Sequence, residues 1–192
     1  EDGKGLSIWG LFAAKKRNIR HGHHLSPGSD FYNRYEQDLA LMQHLGIRNF
    51  RFSTSWPRIL PEGIGTVNQK GLDFYDRLTD ACLEKNITPW ITLYHWDLPH
   101  ALEVKGGWTN REILHWFSRY VEVVVKRLGD RVPNWMILNE PLAYTGAGYF
   151  LGVHAPGKRG LSQFLPAVHH TTLCQAEGVR IVKALQPSSQ VG

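Results

Sequence analysis

The chain has 192 residues, 42% hydrophobic and 20% charged, which is globular composition and excludes a disordered or collagen-like class. Its net charge of +5 comes from 22 scattered Lys and Arg, and the only basic run is Lys15, Lys16 and Arg17, so nucleic acid is set aside as a partner. No apolar stretch approaches the ~20 residues of a membrane span and no h-region marks a signal peptide. The expectations are no membrane and a cytoplasmic location, although the chain opens at Glu1 rather than Met.

Residues 1–30 are weakly patterned and read as surface loop. Within them HGHH (His21, Gly22, His23, His24) clusters imidazoles, which are good ligands for transition metals. No Cys or carboxylate stands at ligand spacing, so a polar loop without a metal is expected. YNRYEQDLALMQHLG then reads as a helix, with Tyr35, Leu39, Met42 and Leu45 on one face and Gly46 as its stop. IRNFRFSTSW follows as a strand. Asn68 opens a second helix in which Leu72, Tyr75, Leu78 and Cys82 recur at helical spacing, and ITPWITLYHW is the next strand. TNRE (Thr109 to Glu112) has capping-box spacing and leads a third helix to Gly129. NWMILN is a third strand, followed by Glu140 and Pro141. A long helix over 161–185 ends at Gln186-Pro187, and PSSQVG reads as the entry to a fourth strand. Cys82 and Cys174 fall inside helical patterns with no metal or redox spacing, and read as reduced core thiols.

Phe52, Leu93 and Leu138 occupy comparable places in the three strands, one helix and one strand apart. This is the rhythm of repeated βα units on a parallel sheet whose near-continuous apolar strands are covered on both faces. A (β/α)8 barrel and a doubly wound sheet both fit. Neither GxGxxG nor GxxxxGK[ST] occurs, so no dinucleotide or nucleotide cofactor is expected. The polar residues favour the barrel: Ser53 to Arg58, His95 to Asp97 and Asn139 to Pro141 all lie at carboxyl ends of strands, where barrel enzymes assemble their sites. Residues 1–192 show no internal domain boundary.

Glu140, at the rim of an apolar strand, is expected to be partly desolvated, which favours the protonated form that a general acid needs. Pro141 is expected to hold it in extended backbone. On local pattern alone a structural carboxylate capping the next segment fits equally well. Asn139 offers an amide to a sugar hydroxyl. His95 can donate or accept, and Trp96 offers an indole donor and a flat apolar face. Asp97, before Leu98-Pro99, reads as a turn-shaping residue. Arg51 within a strand is expected to need a carboxylate partner.

RFSTSWPRILPEG, ITLYHWDLPHAL, GGW and WMILNEP, in this order and spacing, resemble glycoside hydrolase family 1, the β-glucosidase and β-galactosidase group; DGKGLSIW, FYNRYEQDLALMQHLGI and GVHAPG match lesser landmarks. The resemblance implies an α/β (β/α)8 TIM barrel, of which this chain is about the N-terminal half, with strands resembling the second, third and fourth. It implies a retaining β-glycosidase acting on a β-glucoside or related oligosaccharide or aryl glycoside without a cofactor. Glu140 falls on the general acid/base, Asn139 on the residue that holds the sugar 2-hydroxyl, His95 and Trp96 on glycone-binding residues, and Arg51 on an arginine beside the nucleophile. Glu rather than Gln at the acid/base position favours ordinary O-glycosides over thioglucosides.

Retaining hydrolysis uses two carboxylates about 5–5.5 Å apart. The family's nucleophile motif, resembling TENG, is absent, and Glu62, Glu84, Glu103, Glu112, Glu122 and Glu177 fall in loops or helices. The sugar-binding Gln of the family's first strand is absent too. The chain alone is therefore expected to be inactive, with a complementary C-terminal half or self-association as its partner. The competing expectation is a non-catalytic half-barrel that pairs with another half-barrel, or a fragment that only binds sugar.

Overall fold

The computed structural model describes residues 2–23 and 28–192. Helices α1 (Ile8–Ala14) and α2 (Phe31–His44) precede strand β1 (Asn49–Ser53). A short helix α3 (Trp56–Ile59) and the long α4 (Gln69–Glu84) lead to β2 (Thr88–Tyr94); α5 (His100–Val104) and α6 (Ile113–Leu128) lead to β3 (Asn134–Leu138). From there α7 (Pro141–Thr145), a π-helical turn (Gly146–Phe150) and α8 (Leu161–Leu185) run to β4 (Gln190–Val191). The strands are parallel and stand in chain order, β1-β2-β3-β4. α4 packs on α6 and α6 on α8, forming one outer layer. Sequential parallel strands with their crossover helices packed side by side make an arc of a barrel, whereas a doubly wound sheet reverses its order at a switch point.

The long elements form where hydrophobic spacing placed them. α4 buries Leu72, Tyr75, Leu78 and Cys82, and α6 buries Ile113, Phe117, Tyr120, Val121, Val124 and Leu128. Gly178 lets α8 close on β3, since a Cβ there would stand 2.5 Å from Ile137 Cγ2. Between α4 and α6, Arg131 reaches Asp76 and Asp80 at 2.6 and 2.5 Å, while Arg127 pairs with Asp73 at 2.8 Å and also with Asp76. Burial raises the affinity of the Asp76 carboxyl for its proton, but hydrogen bonds from Arg127 and Arg131 outweigh it and hold the pKa below the ordinary value.

The strand ends rest on an aromatic core. Trp56 stacks on Tyr120 with ring centroids 4.9 Å apart, and Phe117, Tyr94 and Trp108 pack around them. Their polar atoms are satisfied: Trp56 Nε1 donates to Gly63 O, Trp108 Nε1 to Tyr94 Oη, and Tyr120 Oη to Leu93 O.

Several expectations need correction. Residues 8–14 are helical, not loop: Ser7 Oγ accepts from Gly10 N at 3.1 Å, and Ile8 and Phe12 bury one face. The TNRE segment is not a capping box. Thr109 Oγ1 donates back to Gly106 O, while Asn110 Oδ1 accepts from Glu112 N before α6 begins. β1 is not covered on both faces, since Asn49 and Arg51 are exposed. The register pairs Phe52 with Ile91 and Tyr94 with Leu138, so Leu93 is not the equivalent of either; strands in a barrel are staggered rather than level. His24, the last imidazole of the HGHH cluster, lies outside the described residues.

Candidate active site

Strands β1, β2 and β3 end side by side, and their polar residues meet there. Asn139 follows β3 and is buried; its backbone N–H donates to Tyr94 O at 2.9 Å, which extends the ladder by one rung. Arg51 Nη2 donates to Asn139 Oδ1 at 2.5 Å, and Arg51 Nε donates to Thr92 Oγ1 at 2.8 Å. Trp96 Nε1 donates to Asn139 O at 2.9 Å. Three strand ends are thus joined through one asparagine. With Oδ1 occupied by Arg51, the Nδ2 amide of Asn139 remains to donate to a ligand.

Arg51 does not sit within a covered strand, and among the described residues it takes no carboxylate partner. It is exposed on the inner side of β1, and its partners among the described residues are a hydroxyl and an amide, which the guanidinium's planar set of donors reaches at once. Trp96 is likewise different from expectation: its N–H is already used, so the indole offers a ligand its face alone. His95 is exposed, with its Nδ1 2.8 Å from Ser53 Oγ. Desolvation by the surrounding protein lowers its pKa and the Arg51 charge lowers it further, while the Glu140 carboxylate acts in the opposite direction. His95 therefore lies within electrostatic reach of both groups and favours the neutral ring.

Glu140 is exposed on the open side of the sheet, so desolvation is not what this chain supplies to it. Its backbone is left-handed (φ 49°, ψ 62°) rather than extended, although Pro141 follows, because the chain turns directly from β3 into α7. Trp96 is left-handed as well, at φ 72°.

Behind these groups the segment after α7 is anchored firmly. Lys158 Nζ lies 2.6 Å from Glu103 Oε1, and Tyr149 Oη donates to Glu103 Oε2 at 2.7 Å. This fixes the stretch that carries His154, whose ring lies between Trp96 and Trp9 at centroid distances of 5.6 and 5.4 Å.

The pattern of residue types identified Arg51, His95, Trp96, Asn139 and Glu140; the last four lie at these strand ends, and Arg51 reaches Asn139 from the middle of β1. It placed Ser53 at a strand end without giving its partner, and passed over Thr92. Ser53 and Thr92 are short hydroxyl side chains in strands; the alternation Arg51, Ser53 on one face of β1 was the available signal. Asp97 was read as a turn former only. Its carboxyl is buried, and burial pushes its pKa up to about 7. Ser55, Lys4 and the backbone N–H groups of Asp97 and Trp56 pull the other way, but Oδ1 itself has no well-formed hydrogen bond.

The arrangement can bind hydroxyls through Asn139 and His95, stack an apolar face on Trp96 and present one exposed carboxylate beside them. Among the described residues the other glutamates stand elsewhere: Glu36, Glu84, Glu103, Glu122 and Glu177 are on helices, Glu112 immediately precedes α6, and Glu62 lies in the turn between α3 and α4.

The profile described as "Glycosyl hydrolase family 1" matches residues 1–192. Over 191 residues the chain is 48% identical to β-glucosidase A of Thermotoga maritima, and over 192 residues 49% identical to β-glucosidase A of Acetivibrio thermocellus; each match covers 100% of this chain and 43% of the relative. Among solved structures, the Thermotoga maritima β-glucosidase in complex with glucoimidazole superposes with a TM-score of 0.97 at 48% identity, covering 100% of this chain and 43% of that one. The chain thus spans less than half the length of these relatives.

Proposed function

The chain belongs to glycosyl hydrolase family 1, and from that premise we propose that it forms the acid/base half of a retaining β-glycosidase acting on β-glucosides. Glu140 protonates the departing glycosidic oxygen and later deprotonates the water that completes the reaction. Asn139 donates through Nδ2 to a hydroxyl next to the reacting carbon. His95 and Trp96 hold the glycone by a hydrogen bond and an aromatic face. Arg51 fixes Asn139 and turns its positive charge toward the site, where it favours an ionised nucleophile. The nucleophile itself is supplied from outside these 192 residues, so the chain alone turns over no glycoside.

The observation that carries this proposal is the joining of three strand ends through Asn139, with Glu140 the next residue along the chain. A scatter of structural polar groups has no reason to converge on one amide at the carboxyl ends of three parallel strands.

The test uses a hybrid in which this chain replaces the matching segment of the Thermotoga maritima β-glucosidase A. The hybrid should hydrolyse aryl β-glucosides and cellobiose. Glu140→Gln should lower kcat on cellobiose by about 10²- to 10⁴-fold, because the alcohol leaving group needs a proton. Unchanged cellobiose turnover in that variant would overturn the assignment. Turnover by the isolated chain would refute the external nucleophile, and glucose binding without turnover in the hybrid would favour a sugar-binding half-barrel.

A further inference from the structure

We propose that Ser53 is the positioning residue for His95: its hydroxyl donates to Nδ1, fixes the ring at the mouth of the site and leaves Nε2–H as the donor to the glycone. Only the identity of the group that Nε2–H meets rests on the glycosidase proposal; the Ser53–His95 pairing stands on its own geometry.

Ser53 is the last residue of β1 and shares a face with Arg51, since alternate residues of a strand point the same way. The register places it opposite Thr92, so its side chain leans along the sheet toward the end of β2, where His95 follows Tyr94. The contact measures 2.8 Å, and it is the hydrogen bond recorded for either side chain among the described residues. The other neighbour of the imidazole ring is Trp96, edge-on at a centroid distance of 6.0 Å, which limits its tilt but not which nitrogen is protonated. An exposed histidine held by an aromatic edge alone retains rotamer freedom that each binding event would have to remove.

A hydroxyl can donate or accept, so the direction of this bond needs a further argument. The Arg51 guanidinium, two residues along the same face, disfavours the doubly protonated ring. The Trp96 N–H is spent on Asn139 O. If Nδ1 kept the proton, the end of β2 would present no side-chain donor at all. Donation from Ser53 to Nδ1 leaves the proton on Nε2, which is also the tautomer that free imidazole side chains prefer in water.

The test has two arms. Nitrogen chemical shifts of ¹⁵N-labelled histidine, with His95 assigned by its loss in His95→Gln, report the tautomer directly in the chain and in the hybrid. The expected result is a protonated Nε2 and an unprotonated, hydrogen-bonded Nδ1. Ser53→Ala should give a mixed tautomer population, and Ser53→Thr, which keeps the hydroxyl, should restore the original shifts. A protonated Nδ1 in the wild-type chain, or shifts unchanged in Ser53→Ala, would overturn the proposal. In the kinetic arm, Ser53→Ala in the active hybrid should raise KM for an aryl β-glucoside roughly three- to tenfold, with kcat less affected and with no further effect once His95 is Ala. Equal KM values for Ser53→Ala and wild type would also overturn it. A wild-type hybrid without glycosidase activity would sink the glycosidase proposal and leave the nitrogen shifts to decide on Ser53.

Discussion

Two residues of the site, Trp96 and Glu140, hold left-handed backbone, a conformation that costs a non-glycine residue about 1–2 kcal/mol. Each follows a parallel strand where the chain turns abruptly, into α7 at Glu140, and at Trp96 the indole reaches across to Asn139 O. Asp97, next to Trp96, stores a different kind of cost. Its ordinary pKa of 3.8 is raised to about 7 in the folded chain by burial. As pH rises the unfolded chain gives up this proton first, so native stability should fall from about pH 4 to about pH 7 and level off above. Asp97→Asn should flatten this segment of the stability profile in urea titrations across that range. A wild-type profile that rises over the same interval, unchanged in Asp97→Asn, would refute it. The side chains that would meet a ligand were visible in the sequence because His, Trp, Asn and Glu at strand ends are chemically conspicuous. The roles of Ser53, Thr92 and Asp97 were not, because a hydroxyl's partner and a carboxyl's burial depend on which strand lies alongside.

At the scale of elements, hydrophobic spacing placed the long helices and all three main strands, since 3.6- and 2-residue periods are imposed by the face each element buries. The short α1, α3, α5 and α7 were not legible. Each is an outgrowth of a loop, held by contacts from distant residues; α1, for example, starts from a strap of backbone hydrogen bonds in which Ile8 N donates to Leu98 O and His100 N donates to Leu6 O. The Glu103–Lys158 pair, at 2.6 Å, is one such long-range tie near the site. Lys158→Met should destabilise the chain by about 2–3 kcal/mol, at the low end for a buried pair because the lysine keeps some contact with water. The double variant with Glu103→Gln should be less destabilised than the sum of the two single variants, as read by thermal or urea unfolding; simple additivity would argue that the pair is not coupled.

For the whole molecule, uncovered large apolar side chains cluster in two places, apart from separate ones such as Leu6, Leu83 and Val104. Leu41 and Leu45 are exposed on α2 and the residue after it, and Leu142, Val153, Leu161 and Leu165 are exposed around the segment from α7 to α8. In an isolated chain such patches drive association. Size-exclusion chromatography with light scattering should therefore show dimers or larger species, and the hybrid with the rest of the Thermotoga maritima framework should be monodisperse. A monomeric isolated chain that binds no hydrophobic dye would contradict this.

The strand order has a consequence for synthesis on the ribosome. Because β1, β2, β3 and β4 pair strictly in the order in which they are made, each new strand finds its neighbour already outside the exit tunnel and never waits for a later partner. At translation speeds of roughly 5–20 residues per second, each βα unit has a few seconds to dock before the next one arrives, which makes this arc suited to assembly by successive addition at one growing edge.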